Sequence, residues 1–204
     1  MEKQIYTAGK PLPGAEKALI MIHGRGASAR DILSLAAHLQ VQDYALLAPQ
    51  ANGNTWYPQS FIAPVAQNEP WLTESLQLVQ ETVKKAIDAG IKKENIYFLG
   101  FSQGACLTLE YITRNADKYG GAVAFTGGLI GDKIYSEDYK GNFQGTPIYI
   151  GSSDPDFHVP VSRVQESATI LKSMGAEITA TIYPGMGHTI TQEEINQANQ
   201  LVFK

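Results

Sequence analysis

Gly100-Phe101-Ser102-Gln103-Gly104 places a serine between two glycines in a G-x-S-x-G spacing. A serine hydroxyl can attack an acyl carbonyl, but at neutral pH it is a weak nucleophile. It needs a base to take its proton and a third group to orient that base. The flanks give the spacing its meaning. Asn95 to Gly100 is a short β-branched and aromatic run that reads as a buried strand. Ala105 to Arg114 reads as a helix with Ala105, Leu109 and Ile112 on one face. A serine at such a strand-to-helix turn is held in a strained backbone conformation. Its Oγ stands above a helix N-terminus, where free N–H groups and the dipole favour developing negative charge. A Cβ at either flanking glycine would crowd the turn. The competing reading is a Gly-rich turn with an incidental serine.

In a sheet that presents its nucleophile this way, the acid and then the histidine follow in chain order. His188, in Tyr183-Pro-Gly-Met-Gly-His188, comes directly after a strand-like run, and two glycines let its loop bend back over the sheet edge. The other three histidines fit the base role less well. His38 lies in a helical pattern and reads as surface. His23 precedes the serine. His158 sits in the acid loop, in a structural position or at the site mouth. The acid must come from the segment 151–160, where Asp154 and Asp156 compete. Counting forward from Gly151 favours Asp154, and counting back from Val159-Pro160 favours Asp156. Asp156 is preferred, and the other aspartate is left to cap the helix that begins near Val161. The acid would hold the imidazole tautomer and stabilise the imidazolium.

An acyl-transfer site also needs two N–H donors for the oxyanion. The residue after the nucleophile, Gln103, supplies one, and a loop after an early strand supplies the other. His23-Gly24-Arg25-Gly26-Ala27-Ser28 fits that loop, which assigns the second donor to the N–H of Arg25. The loop lacks the Lys-Ser/Thr ending of a phosphate cradle. Cys106, the only cysteine, reads as a small buried hydrophobe. No H-E-x-x-H, C-x-x-C or paired-carboxylate motif points to a metal, and no cofactor is expected.

Six apolar runs are positioned to hold these residues. They are Lys17–His23, Tyr44–Ala48, Asn95–Gly100, Gly121–Phe125, Pro147–Ile150 and Ile178–Tyr183. Continuous runs of this kind are typical of parallel strands buried on both faces. Helical patterns alternate with them at Ala29–Leu39, Thr73–Ala89, Ala105–Asn115 and Val161–Met174. Gly90 and Gly175 are placed to end two of these. A last helix opens on the capping box Thr191-Gln-Glu-Glu194. The alternation predicts an α/β fold with a mostly parallel sheet. Gln50–Pro70 and Leu129–Gly145 are irregular, and their length suits functional loops.

The 204 residues favour one domain, 1–204, with no repeat and no composition shift. A net charge of −4 without a basic run gives no sign of nucleic acid or an anionic membrane surface as the main partner, and neither nucleic-acid binding nor integral membrane association is expected. No stretch approaches a bilayer span, and the polar N-terminus shows no signal peptide, so a cytoplasmic location is expected. The sequence leaves the oligomeric state open.

Taken together, His23-Gly24-Arg25-Gly26, Gly100–Gly104, Asp156-Phe-His-Val-Pro160 and Gly185-Met-Gly-His188 resemble the phospholipase/carboxylesterase group of α/β-hydrolases, which includes acyl-protein thioesterases. The resemblance covers roughly residues 17–200. It implies a serine esterase on an α/β-hydrolase fold, with helices on both faces of the sheet, no large lid domain and no cofactor. Ser102, Asp156 and His188 would be its triad and a small-molecule ester or thioester its substrate. It also offers Trp56 and Trp71 as linings of an acyl pocket, with core packing as the alternative for each. The chain departs from the group in three places. Arg25 stands where an apolar residue is usual, the acid loop is two residues longer, and Thr189 replaces a common serine. The expected activity is hydrolysis of carboxylic esters with short to medium acyl chains. The alternatives are a thioesterase, a lysophospholipase, or a catalytically silent binding module on the same fold.

Overall fold

The computed structural model describes residues 4–204. Seven strands form one sheet: β1 Ile5–Gly9, β2 Lys17–Ile22, β3 Tyr44–Pro49, β4 Ile96–Phe101, β5 Gly121–Phe125, β6 Pro147–Asp154 and β7 Glu177–Pro184. Their order is β1-β3-β2-β4-β5-β6-β7. β1 runs antiparallel to β3, and every other pair is parallel. Among the described residues five α-helices accompany them: α1 Ala29–Ser34, α2 Trp71–Asp88, α3 Gln103–Arg114, α4 Val161–Ser173 and α5 Gln192–Leu201.

Alternate strand residues feed two cores. Ile20, Phe98, Ala124 and Ile150 pack with Val79, Val83, Leu109, Val164 and Leu171, so α2, α3 and α4 cover one face. Met21, Leu99, Phe125 and Tyr149 pack with Ile32, Ile195 and Val202, so α1 and α5 cover the other. Burial on both faces explains why the strand sequences are runs rather than alternations. The predicted capping box at Thr191 forms, with Glu194 N–H on the threonine oxygen at 3.3 Å and Thr191 N–H on the Glu194 carboxylate at 2.9 Å. Ser28 and Asp31 make a second one on α1.

Several expectations need correction. β1, the antiparallel edge strand, was not expected, because its outer half is exposed and its residues carry little apolar signal. The expected helix Ala29–Leu39 is α1 followed by a separate 3₁₀ turn, Leu35–His38. α2 begins at Trp71, two residues before the expected start at Thr73. β6 continues four residues beyond Ile150 and carries Asp154 within it.

The order reverses between β2 and β4. One connection from β2 leads to β3 on one side, and β4 lies on the other. Loops leaving the carboxyl ends of strands at such a switch point face an open crevice. The loops after β2 and β4 are those carrying Arg25 and Ser102.

Candidate active site

Ser102 links β4 to α3 with φ 54° and ψ −119°. Its N–H donates to the Phe125 carbonyl at 2.9 Å, and its carbonyl accepts from Cys106 N–H at 3.0 Å. The glycines on either side are sterically required. A Cβ on Gly100 would run into the Gly104 carbonyl, and one on Gly104 into the carbonyls of Ile22 and His23. The start of α3 therefore sits directly on the end of β2.

His188 Nε2 lies 2.8 Å from Ser102 Oγ, and His188 Nδ1 lies 2.8 Å from Asp156 Oδ2. With Nδ1–H donating to the carboxylate, Nε2 is free to accept from the serine hydroxyl. Asp156 Oδ1 takes the N–H groups of His158 and Val159 at 2.8 and 2.9 Å. Burial alone would push the Asp156 carboxyl up. The His188 bond, the two backbone donors and the nearby imidazole outweigh it and hold the carboxyl below its usual range. Asp154 is not in this chain of bonds. It ends β6 opposite Pro184, its side chain is exposed, and its carbonyl accepts from Gly185 N–H at 2.9 Å.

The loop carrying His188 is anchored to β6 at two points. One is that Asp154–Gly185 bond, and the other is Gly187 N–H donating to the buried Ser153 Oγ at 2.9 Å. The ring of Phe101 lies 5.4 Å from the His188 ring, and that of His158 stands edge-on to it at 4.9 Å. His158 thus belongs at the site mouth.

Gly24 packs against the Ser102 turn, since a Cβ on it would come within 3.6 Å of Ser102 Cβ and 3.2 Å of the Phe101 ring. Gly26 is needed for a different reason, its φ of 79°. Arg25 lies between them, so its backbone passes beside Ser102. Gln103 is the first residue of α3, where N–H groups have no intrahelical acceptor. Among the described residues, neither the N–H of Arg25 nor that of Gln103 donates to a backbone carbonyl.

Two side-chain roles were invisible in the sequence. His23 is fully buried, with Nε2 accepting from Ala51 N–H at 3.1 Å and Nδ1 2.8 Å from the Gly24 carbonyl. Accepting at Nε2 requires the neutral ring, and burial lowers its basicity accordingly. Gln103 bonds Trp56 N–H through Oε1 at 3.0 Å and the Tyr57 carbonyl through Nε2 at 2.8 Å. Ala51 lies 28 residues from His23, and Trp56 and Tyr57 lie 47 and 46 residues from Gln103, so no local signal could find these partners.

Trp56 is 1% exposed, its ring against His23 and its indole N–H on the His23 carbonyl at 2.8 Å. It packs as core behind the Gly24–Gly26 loop. Trp71 is 49% exposed. The two line a cleft of about 750 Å³ with Gln50, Asn52, Thr55 and Glu74, and that lining does not include Ser102, Gln103 or His188. Cys106 is buried as expected, and burial pushes its thiol up to about 12. Among the described residues no group of acidic, histidine or cysteine side chains could hold a metal ion. No helix there is long and apolar enough to cross a membrane.

Residues 9–203 match the family model described as phospholipase/carboxylesterase. The chain belongs to the phospholipase/carboxylesterase family. A crystal structure of a phospholipase/carboxylesterase from Dyadobacter fermentans DSM 18053 is 55% identical and superposes with a TM-score of 0.99. That match covers 100% of this chain and 97% of the other. An acyl-protein thioesterase of Saccharomyces cerevisiae is 29% identical over 93% of both chains. One from Gibberella zeae is 32% identical over 65% of this chain, which spans only 59% of that protein's length. The architecture is the α/β-hydrolase fold of this family, without a large lid among the described residues.

Proposed function

We propose that this phospholipase/carboxylesterase family member is a serine hydrolase of carboxylic esters with short to medium acyl chains. The observation that carries the reading is the unbroken chain of 2.8 Å contacts from Ser102 through His188 to Asp156. His188 takes the Ser102 proton as Oγ attacks the acyl carbonyl. The N–H groups of Arg25 and Gln103 receive the oxyanion. His188 then protonates the leaving alcohol, and an acyl-enzyme remains. Water activated by His188 releases the acid and restores the serine. No metal or cofactor takes part in this sequence.

The test is p-nitrophenyl butyrate hydrolysis by Ser102→Ala, which should fall by at least ~10³-fold in kcat. Activity persisting within about tenfold would sink the assignment. A fluorophosphonate probe should label Ser102, and absence of an adduct would favour a binding module on this fold. The names of the yeast and fungal relatives support a second reading, thioester hydrolysis. An acyl-chain panel offered as matched oxygen esters and thioesters separates the two. Higher kcat/KM on the thioester series would shift the assignment to thioesterase.

A further inference from the structure

The residues assigned the two oxyanion donors share an unusual feature: both side chains reach the same stretch of backbone. The Arg25 guanidinium donates to three successive carbonyls. Nη2 bonds Tyr57 at 2.9 Å and Gln59 at 2.7 Å, and Nη1 bonds Pro58 at 3.0 Å. The Gln103 carboxamide holds Trp56 N–H and the Tyr57 carbonyl from the other side. The strut 56–59 is itself fixed. Ser75 Oγ donates to the Trp56 carbonyl at 2.7 Å, and Gln59 N–H donates to Asn68 Oδ1 at 2.8 Å. Behind it, Gly26 N–H donates to the Asn54 carbonyl at 2.8 Å. The result is a continuous path of bonds running from the Arg25 guanidinium through the strut to the Gln103 carboxamide.

We infer that the Arg25 side chain is a positioning group for ester hydrolysis, setting the spacing of its own N–H relative to that of Gln103. The inference rests on the serine-hydrolase reading above. The physical reason is that Arg25 itself makes no backbone hydrogen bond to a carbonyl or N–H among the described residues. Its neighbours are tied, Gly24 through its carbonyl to His23 Nδ1 and Ala27 N–H and Gly26 through its N–H to Asn54, but neither glycine has a side chain to fix the orientation of the peptide between them. A guanidinium presents several donors in a rigid plane and can hold three carbonyls at once, whereas an ammonium on a flexible stem cannot reproduce that arrangement. An aliphatic side chain would leave the three carbonyls to water and the loop free to swing. Donors aimed at the developing oxyanion contribute only if they are fixed before the reaction.

The experiment compares Arg25→Met and Arg25→Lys with wild type. It measures kcat and KM on p-nitrophenyl butyrate, counts active sites with a fluorophosphonate, and measures affinity for a trifluoromethyl ketone that forms a tetrahedral adduct. Because the backbone donor remains but is misplaced, kcat per titrated site should fall ~10–100-fold in Arg25→Met, less than outright loss of a donor. KM should move by less than about threefold, and ketone affinity should weaken in step with kcat/KM. Arg25→Lys should fall between. A merely structural role would instead lower the number of titratable sites and leave kcat per site unchanged, which would overturn the inference. So would a loss confined to KM. If Arg25→Met is insoluble, Arg25→Lys decides, and a kcat within about twofold of wild type would overturn the inference. Activity that depends on Ser102 but ignores Arg25 removes this inference alone. Activity that ignores Ser102 removes the reading beneath it.

Discussion

At the residue scale, the backbone at Ser102 carries the clearest physical signature. A non-glycine residue at φ 54° and ψ −119° costs on the order of 1–3 kcal/mol and persists only where its surroundings over-determine it. Here they do, through the Phe125 and Cys106 bonds and two glycines that admit no Cβ. The order serine, acid, histidine was readable because each residue lies just past a strand-like run. The identity of the acid was only preferred, because the end of β6 could not be located from Pro147–Ile150. The strand runs on to Asp154, which fixes that residue in the ladder and leaves Asp156 free to curl toward His188. Asp156→Asn should therefore lower kcat on p-nitrophenyl butyrate by roughly 10³–10⁴, because an amide there favours the wrong imidazole tautomer. Asp154→Asn should stay within about threefold of wild type, and a larger loss from it than from Asp156→Asn would reverse the assignment.

At the element scale, the site is an assembly of strand ends. β2 supplies the Gly24–Gly26 loop, β4 the Ser102 turn, β6 the Asp156 loop and β7 the His188 loop. The inner strands were legible because burial on both faces leaves a dense apolar run, and α5 because of its capping box. β1 was not, because an edge strand needs few apolar residues. The ties between loops were also illegible, since Gly187 to Ser153 and Arg25 to 57–59 each join residues more than 30 apart. Ser153 tests how much such a tie contributes. Ser153→Ala removes the acceptor that holds Gly187, next to His188, while leaving the strand intact. Small displacements of a catalytic group lower rate more than binding, so kcat should drop about 3–10-fold with KM little changed. Ser153→Thr, which keeps the hydroxyl, should recover most of it. Unchanged kcat in the alanine variant would mean that the Asp154–Gly185 bond alone fixes the histidine loop.

At the scale of the whole molecule, the same capping that starts α5 leaves a buried carboxylate half satisfied. Glu194 is fully buried, Oε2 accepts from Thr191, and Oε1 has no partner. Burial pushes its carboxyl up, more than the Thr191 bonds pull it down, and neighbouring Glu193 adds to the rise. The sign follows from linkage. A carboxyl whose folded pKa exceeds its unfolded one binds its proton more tightly in the native state, so native stability falls as pH rises through that interval. At neutral pH and above Glu194 therefore costs stability, and below the unfolded carboxyl range it costs none. Glutamine copies the protonated form. It keeps an oxygen for Thr191 and places an amide donor where Oε1 was orphaned, near the Tyr149 hydroxyl. Glu194→Gln should raise Tm near pH 8 by about 2–4 °C, the shift that ~1 kcal/mol produces in a chain of this size. The gain should shrink towards zero near pH 4. Thermal unfolding of the two proteins across that range, followed by circular dichroism, measures it. A pH-independent difference, or a lower Tm at pH 8, would mean that the carboxylate is stabilised in the fold by partners beyond Thr191.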